Sequence, residues 1–528
     1  MGSAGLGLAL AEGLASAGIT QVVVCPGSRS TPVALALARL AGEGRVRLHT
    51  RTDERAGGFL ALGLAKAGGA AAVLVTSGTA VGNLMPAVME ARASGVMLVV
   101  ITADRPATLV GTGANQTTHQ VGIFGRHVVG DLALAGSDDA PAAWSAQLSR
   151  LFAAGFGLRT REPGPVYIYA AFTEPFVDDL MADPEPTRLT SVARSRPAVP
   201  AQLVAGPRTV VLAGDAPAQV GHRARELAET ARLPLFAEPS SNARSGRCAI
   251  AGYRLLLDTA LGERIERVLV FGHPTLSRPV HRLLSRRDIE LVVVSPSASW
   301  PDPGWAASQV CDDVELAPGD DDWLNEWRLV DRELPTDPSS AGRRAAGRGG
   351  GVLTGQSVAD AVVASAPQNL VFGASSLIRN ADLSPIADPV PDDPPTICWA
   401  NRGLSGIDGV ISTAAGIALA TARPATVLIG DLGFLHDAGS LHIPAGQPVP
   451  DLRIVVGDDD GGSIFGTLEV ADAPCYQPLF AMPHGRDLAA IAEGYGWPAQ
   501  RVGGLDELLE YLGRPVHGIE VLVAVFGA

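Results

Sequence analysis

Lysine is almost missing from this chain: Lys66 is the only one among 41 basic residues in 528. Anion recognition therefore falls to planar arginine forks or backbone N–H groups, not ammonium groups. No GxxxxGK[ST] loop occurs, which disfavours a P-loop nucleotidase. Cysteine is also scarce. Cys25, Cys248, Cys311, Cys398 and Cys475 are scattered, odd in number and never spaced as CxxC. That argues against a zinc site or a disulfide framework and for reduced thiols. No stretch offers about 18 uninterrupted apolar residues, and no basic segment with a cleavage site opens the chain. The expectation is a cytoplasmic protein without membrane insertion. A formal net charge of −14 disfavours nucleic acid as a partner.

What is present is material for several cores. Hydrophobic residues make up 47% and charged residues 18%, a globular balance. The length predicts more than one domain. QVVVC, AAVLVTSG, MLVVITA and PGPVYIYAAF in the first third alternate with helical stretches. TVVLAGD, LPLFAEP, RVLVFGH and IELVVVS do so in the middle, and LVFGASS, TICWAN, TVLIGDL and DLRIVVGDDDGG in the last. Continuous apolar strands alternating with helices predict α/β domains with mostly parallel sheets covered by helices. Pro-rich and acidic residues at 174–200 and the Gly/Ser/Pro-rich 335–351 read as linkers. Three consecutive domains are expected: 1–180, 190–335 and 350–528.

Ligands gather beyond the carboxyl ends of parallel strands. Five polar loops follow such ends: PGSRS, TSGTAVGN, ASSLIRN, GDLGFLHD and GDDDGGSIF. Asp431 exits one strand, and Asp459 exits another 28 residues later. That gap fits one strand–helix–strand crossover. Carboxylates with a backbone carbonyl suit Mg²⁺ bound alongside a phosphate. Gly461 and Gly462 allow close backbone approach, and a helix after Ser463 would offer N–H groups to a diphosphate. Each acid run taken alone reads as an ordinary turn. LHTRTDERAGGF, earlier in the chain, sets Asp53 and Glu54 at a helix start. Capping suits either acid there, and the stretch alone does not divide their roles.

GDL followed by DDDGG resembles the GDG…NN signature of thiamine-diphosphate enzymes. With CPGSRSTP, HTRTDERAGGFLALGLAK, TSGTAVGNLMPAVMEA, TADRP, NQTTHQ, ANRGLSGIDG and GGSIF, the chain is similar to the MenD family. These are the 2-succinyl-5-enolpyruvyl-6-hydroxy-3-cyclohexene-1-carboxylate synthases, transferases of menaquinone biosynthesis. The resemblance is dense in both outer thirds and limited to α/β style in the middle.

The resemblance implies a thiamine-diphosphate-binding fold, with the pyrimidine site in the first domain and the diphosphate site in the last. It implies a homodimer or dimer of dimers with active sites at the subunit interface. It assigns Glu54 as the catalytic carboxylate at the pyrimidine N1′ and leaves capping to Asp53. Asp431, Asp459 and the Gly461 carbonyl would hold Mg²⁺ or Mn²⁺. Asp459 departs from the usual Asn and adds a negative charge. Ser375, Ile407, Ile464 and Phe465 match cofactor contacts, although plain core packing suits the three apolar residues equally. Ser28, Arg29, Arg105, Asn115, Gln116, Ser375, Arg379 and Arg402 match substrate contacts. Arg278 matches more weakly, and a solvated surface ion pair is its better reading. The implied reaction is decarboxylation of 2-oxoglutarate and 1,4-addition of the succinyl-semialdehyde carbanion to isochorismate, releasing CO₂. Both substrates are polyanions, which suits forked arginines. The alternative is another carboligase or 2-oxoacid decarboxylase of acetohydroxyacid synthase type, although no GxGxxG marks a flavin site. His119 and His436 lie in loops, where structural hydrogen bonding is the commoner role.

Overall fold

The continuous apolar runs become parallel strands. The computed structural model describes residues 2–136, 141–177, 189–196, 198–319, 321–334, 352–386 and 395–526. The linker expected at 335–351 lies outside them, and that at 174–200 does so in part.

Six strands form the first sheet: β1 (Gln21–Val24), β2 (Arg47–Thr50), β3 (Ala71–Val75), β4 (Leu98–Asp104), β5 (Gly130–Ala135) and β6 (Val166–Ala171). Their order is β2-β1-β3-β4-β6-β5, with every pairing parallel. Every residue of β3, β4 and β6 is buried, as expected of strands covered on both faces.

The middle third adds β7 (Ala201–Leu203), β8 (Thr209–Ala213), β9 (Leu235–Ala237), β10 (Arg267–Phe271), β11 (Glu290–Val294), β12 (Gln309–Cys311) and β13 (Val314–Leu316). β7 pairs with β13, and the others run β12-β11-β10-β8-β9. The last third holds β14 (Asn369–Phe372), β15 (Ile397–Ala400), β16 (Ala425–Gly430), β17 (Leu452–Asp458), β18 (Ala499–Val502) and β19 (Ile519–Val525), in the order β15-β14-β16-β17-β19-β18.

The chain divides into two compact units. Met1–Ser195, Asp408–Arg423 and Asp437–Asp451 make the first; Arg196–Ile407, Pro424–His436 and Leu452–Ala528 make the second. Glycines explain why part of the last third joins the first unit. Helix Glu54–Gly68 packs on helix Val410–Thr421 so closely that a Cβ on Gly63 would lie 2.0 Å from the Thr413 carbonyl oxygen. A Cβ on Gly416 would lie 2.4 Å from that of Leu60. Among the described residues, no helix is long and apolar enough to cross a membrane.

Candidate functional site

In the second unit, four neighbouring strands end in candidate site segments, three of them at the polar stretches expected from sequence. Ser375 follows β14, Arg402 follows β15, Asp431 follows β16, and residues 459–462 follow β17. The sheet order puts these carboxyl ends side by side, where ligands bind in open parallel sheets.

Asp431 begins a helix, Asp431–Asp437, so GDLGFLHD is not the loop expected from sequence. The acid suits that N-terminus. Its Oδ1 accepts from Leu432 N–H at 2.5 Å and its Oδ2 from Gly461 N–H at 2.7 Å. The carboxyl is 3% exposed. Burial raises its pKa, and the Asp459 charge adds to that. Gly461 thus meets Asp431 through its N–H, and Asp459 is near enough to repel Asp431, although Asp459 is not among the ligand atoms that lie closest together. Asp458 and His484, which sequence reasoning did not single out, join Asp431: single ligand atoms of Asp431, Asp458 and His484 lie within 4.8 Å of one another. Asp458 was hidden in a run of three acids, and His484 had no motif around it.

The expected helix after Ser463 is a five-residue 3-10 helix, Ser463–Thr467. It carries Ile464 and Phe465, and the Phe465 ring lies 6.0 Å from that of Phe480. Gly461 has a φ of +144°, and a Cβ there would meet the Ala481 carbonyl at 2.2 Å. Only glycine fits this close approach. The donor set of carboxylates and the glycine-lined backbone fit a divalent cation with a diphosphate.

The arginines divide. Arg379 donates to the Ser375 carbonyl at 3.0 Å. Burial lowers its pKa, with Arg402 and Arg254 adding repulsion. Arg402 is 3% exposed. Arg278 instead forms an exposed pair with Glu469 at 3.2 Å, the surface reading favoured from sequence. Ile407 is exposed.

In the first unit, the ends of β2, β1, β3 and β4 are adjacent. Asp53 caps helix Glu54–Gly68, accepting from the N–H groups of Arg55 and Ala56. Glu54 is the first helical residue, and its Oε2 accepts from Asn83 Nδ2 at 3.1 Å. Arg105 Nε donates to the Asn115 carbonyl at 2.9 Å, and Gln116 Nε2 donates to the Ser77 carbonyl at 3.0 Å. The second of these joins the loops after β3 and β4. After β1, Ser28 is exposed. Arg29 pairs with Glu174 at 3.4 Å and covers the Phe176 ring. His119 and His436 are both exposed.

Residues 5–123 match a family model described as thiamine pyrophosphate enzyme, N-terminal TPP binding domain. A 2-succinyl-5-enolpyruvyl-6-hydroxy-3-cyclohexene-1-carboxylate synthase of Nocardioides sp. is 47% identical, covering 97% of this chain and 93% of its own. Another, of Kineococcus radiotolerans, is 44% identical over 99% and 96%. The crystal structure of benzoylformate decarboxylase from Polynucleobacter necessarius matches with a TM-score of 0.69, covering 100% of this chain and 99% of its own. At 17% identity that likeness concerns the fold. Near full-length identity, the N-terminal match and the strand-end loops converge: the chain belongs to the family of 2-succinyl-5-enolpyruvyl-6-hydroxy-3-cyclohexene-1-carboxylate synthases.

Proposed function

We propose that this chain decarboxylates 2-oxoglutarate and adds the resulting succinyl-semialdehyde unit to isochorismate, using thiamine diphosphate and Mg²⁺ or Mn²⁺. The observation that carries this reading is the buried Asp431 bound to Gly461 N–H where β16 and β17 end side by side. The relatives' near full-length identity favours it over a carboligase of acetohydroxyacid synthase type.

When bound, thiamine diphosphate supplies a nucleophilic carbon that accepts the electrons left by decarboxylation. Asp431, Asp459 and the Gly461 carbonyl would hold the cation, with Asp458 as a further carboxylate beside them. Ser375, Ile407, Ile464 and Phe465 would contact the cofactor. Glu54 would hold a proton at the pyrimidine N1′, kept in orientation by Asn83. Arg379 and Arg402 in one unit, and Ser28, Arg29, Arg105, Asn115 and Gln116 in the other, would bind substrate carboxylates. Arg278, held by Glu469, has the weakest claim. The domain bounds 1–180, 190–335 and 350–528, the homodimer or dimer of dimers, and the cytoplasmic location belong to the same proposal.

The test is a product assay with 2-oxoglutarate and isochorismate, with and without thiamine diphosphate and Mg²⁺. The expected result is CO₂ release and adduct formation that need both cofactors. Turnover of pyruvate in place of 2-oxoglutarate would overturn the assignment.

A further inference from the structure

Four guanidinium groups in the second unit, those of Arg244, Arg254, Arg379 and Arg402, share a neighbourhood with two fully buried acids, Glu238 and Asp382. Asp382 accepts from the Tyr253 hydroxyl at 2.9 Å and faces Arg254 Nε at 3.5 Å. Arg254 also donates to the Arg379 carbonyl at 2.9 Å. Burial raises both carboxyls, Glu238 to about 8. Four guanidinium groups against two acids leave the cluster net positive even with both acids ionised, which suits an anion.

Glu238 lies just past β9 and is 1% exposed. Its Oε1 accepts from Thr275 N–H at 3.0 Å and Leu276 N–H at 2.9 Å. Thr275 then offers Oγ1 to Arg402, at 3.1 Å from Nε and 2.7 Å from one terminal nitrogen. One neutral oxygen thus takes two donors of a buried guanidinium. A carboxylate there would have cancelled the charge; a hydroxyl fixes the orientation and leaves the charge to a ligand.

We propose that Glu238 and Thr275 are positioning residues for Arg402: the buried acid pins the 275–276 backbone, and the Thr275 hydroxyl aims the guanidinium at a substrate carboxylate. This rests on the function proposed above. Thr275 itself need not touch the substrate.

The experiment is steady-state kinetics on full-length enzyme loaded with thiamine diphosphate and Mg²⁺. Thr275→Val removes the acceptor at nearly constant shape. It should raise KM for one of the two carboxylate substrates about tenfold, the scale of a lost hydrogen bond to a charged group. The value of kcat, the melting temperature and thiamine diphosphate affinity should stay near wild type, and Thr275→Ser should restore KM. Arg402→Lys lacks the fork, so Thr275→Val should add little on that background. Unchanged KM values in Thr275→Val overturn the relay, as does a full-sized Thr275→Val effect with Arg402→Lys. Should Thr275→Val not fold, Glu238→Gln enters the same cycle, where coupling to Arg402→Lys supports the relay and additivity overturns it. A wild-type enzyme without turnover overturns the functional reading instead.

Discussion

His484 Nε2 donates to Asp431 Oδ2 across 3.2 Å. The donor role follows from the other ring nitrogen: Arg486 N–H points at His484 Nδ1 at 3.0 Å, so Nδ1 accepts and Nε2 carries the proton. Asp460 fastens the same segment by accepting from the N–H groups of His484 and Gly485, at 3.0 and 2.7 Å. The imidazole N–H therefore occupies the carboxylate oxygen that the proposed cation would use. His484→Ala should tighten Mg²⁺-dependent thiamine diphosphate binding several-fold, about 1 kcal/mol for one hydrogen bond. Calorimetric titration reads this directly. Weaker binding in the variant would make His484 a support for the cofactor, not a competitor.

Asp53 and Glu54 are adjacent but separable. Asp53 accepts two N–H groups at the start of its helix, so Asp53→Ala should cost about 1 kcal/mol of stability. The activity of the folded protein should persist. Glu54→Gln keeps an acceptor for Asn83 and should leave the fold intact. It loses the carboxylate proposed to hold the proton, and CO₂ release from 2-oxoglutarate should fall at least about a hundredfold. Denaturation midpoints and a CO₂ assay on both variants separate the roles. Equal activity losses would merge them.

Most strands were legible because parallel strands buried on both faces read as unbroken apolar runs, although β19 (Ile519–Val525) was passed over despite such a run. β5 was missed for the complementary reason. GDLALA has mixed exposure at the edge of its sheet, and it opens with two poor strand formers. The acid motifs were legible at strand exits, and so was a cap at Asp53 or Glu54; that Asp53 is the cap came only through the family resemblance, on which the proposed role of Glu54 still rests. Glu238, Thr275 and His484 had no such signal. Each acts through a contact 37 or more residues away, which local spacing does not encode. Nor does local pattern reveal that Asp408–Arg423 joins the first unit, since that depends on glycines in two distant helices.

That helix contact gives a stability prediction. Gly63→Ala would place a methyl 2.0 Å from the Thr413 backbone oxygen, so the helices must move apart. Alanine is the better helix former by about 1 kcal/mol, but overpacking costs about 1–3 kcal/mol, and here the obstruction is backbone. The net expectation is destabilisation, seen as a lower urea midpoint. Gly68→Ala, whose added methyl would meet only the Ala420 side chain at 3.9 Å, is the control and should be neutral or stabilising. Two variants of equal stability would show that the helices yield freely.

His49 gives the pH dependence. It is fully buried in β2, with Nε2 2.8 Å from Gln21 Oε1. Burial, and then the charges of Arg47 and Arg51, push its pKa from 6.5 down to about 4. Between those values the unfolded chain binds a proton that the folded chain refuses. The contribution of His49 is thus fully present above pH 6.5 and is lost as pH falls towards 4. The loss is roughly 3 kcal/mol at most, from 1.36 kcal/mol per unit. His49→Gln cannot titrate, so it should lower stability at pH 7.5 but flatten the decline towards acid. Urea midpoints at pH 7.5 and 5 measure both effects. Because other buried groups titrate alike in the two proteins, the difference between their slopes isolates His49. Identical slopes would mean that His49 takes up its proton in the fold as readily as in the unfolded chain, which would overturn the burial effect.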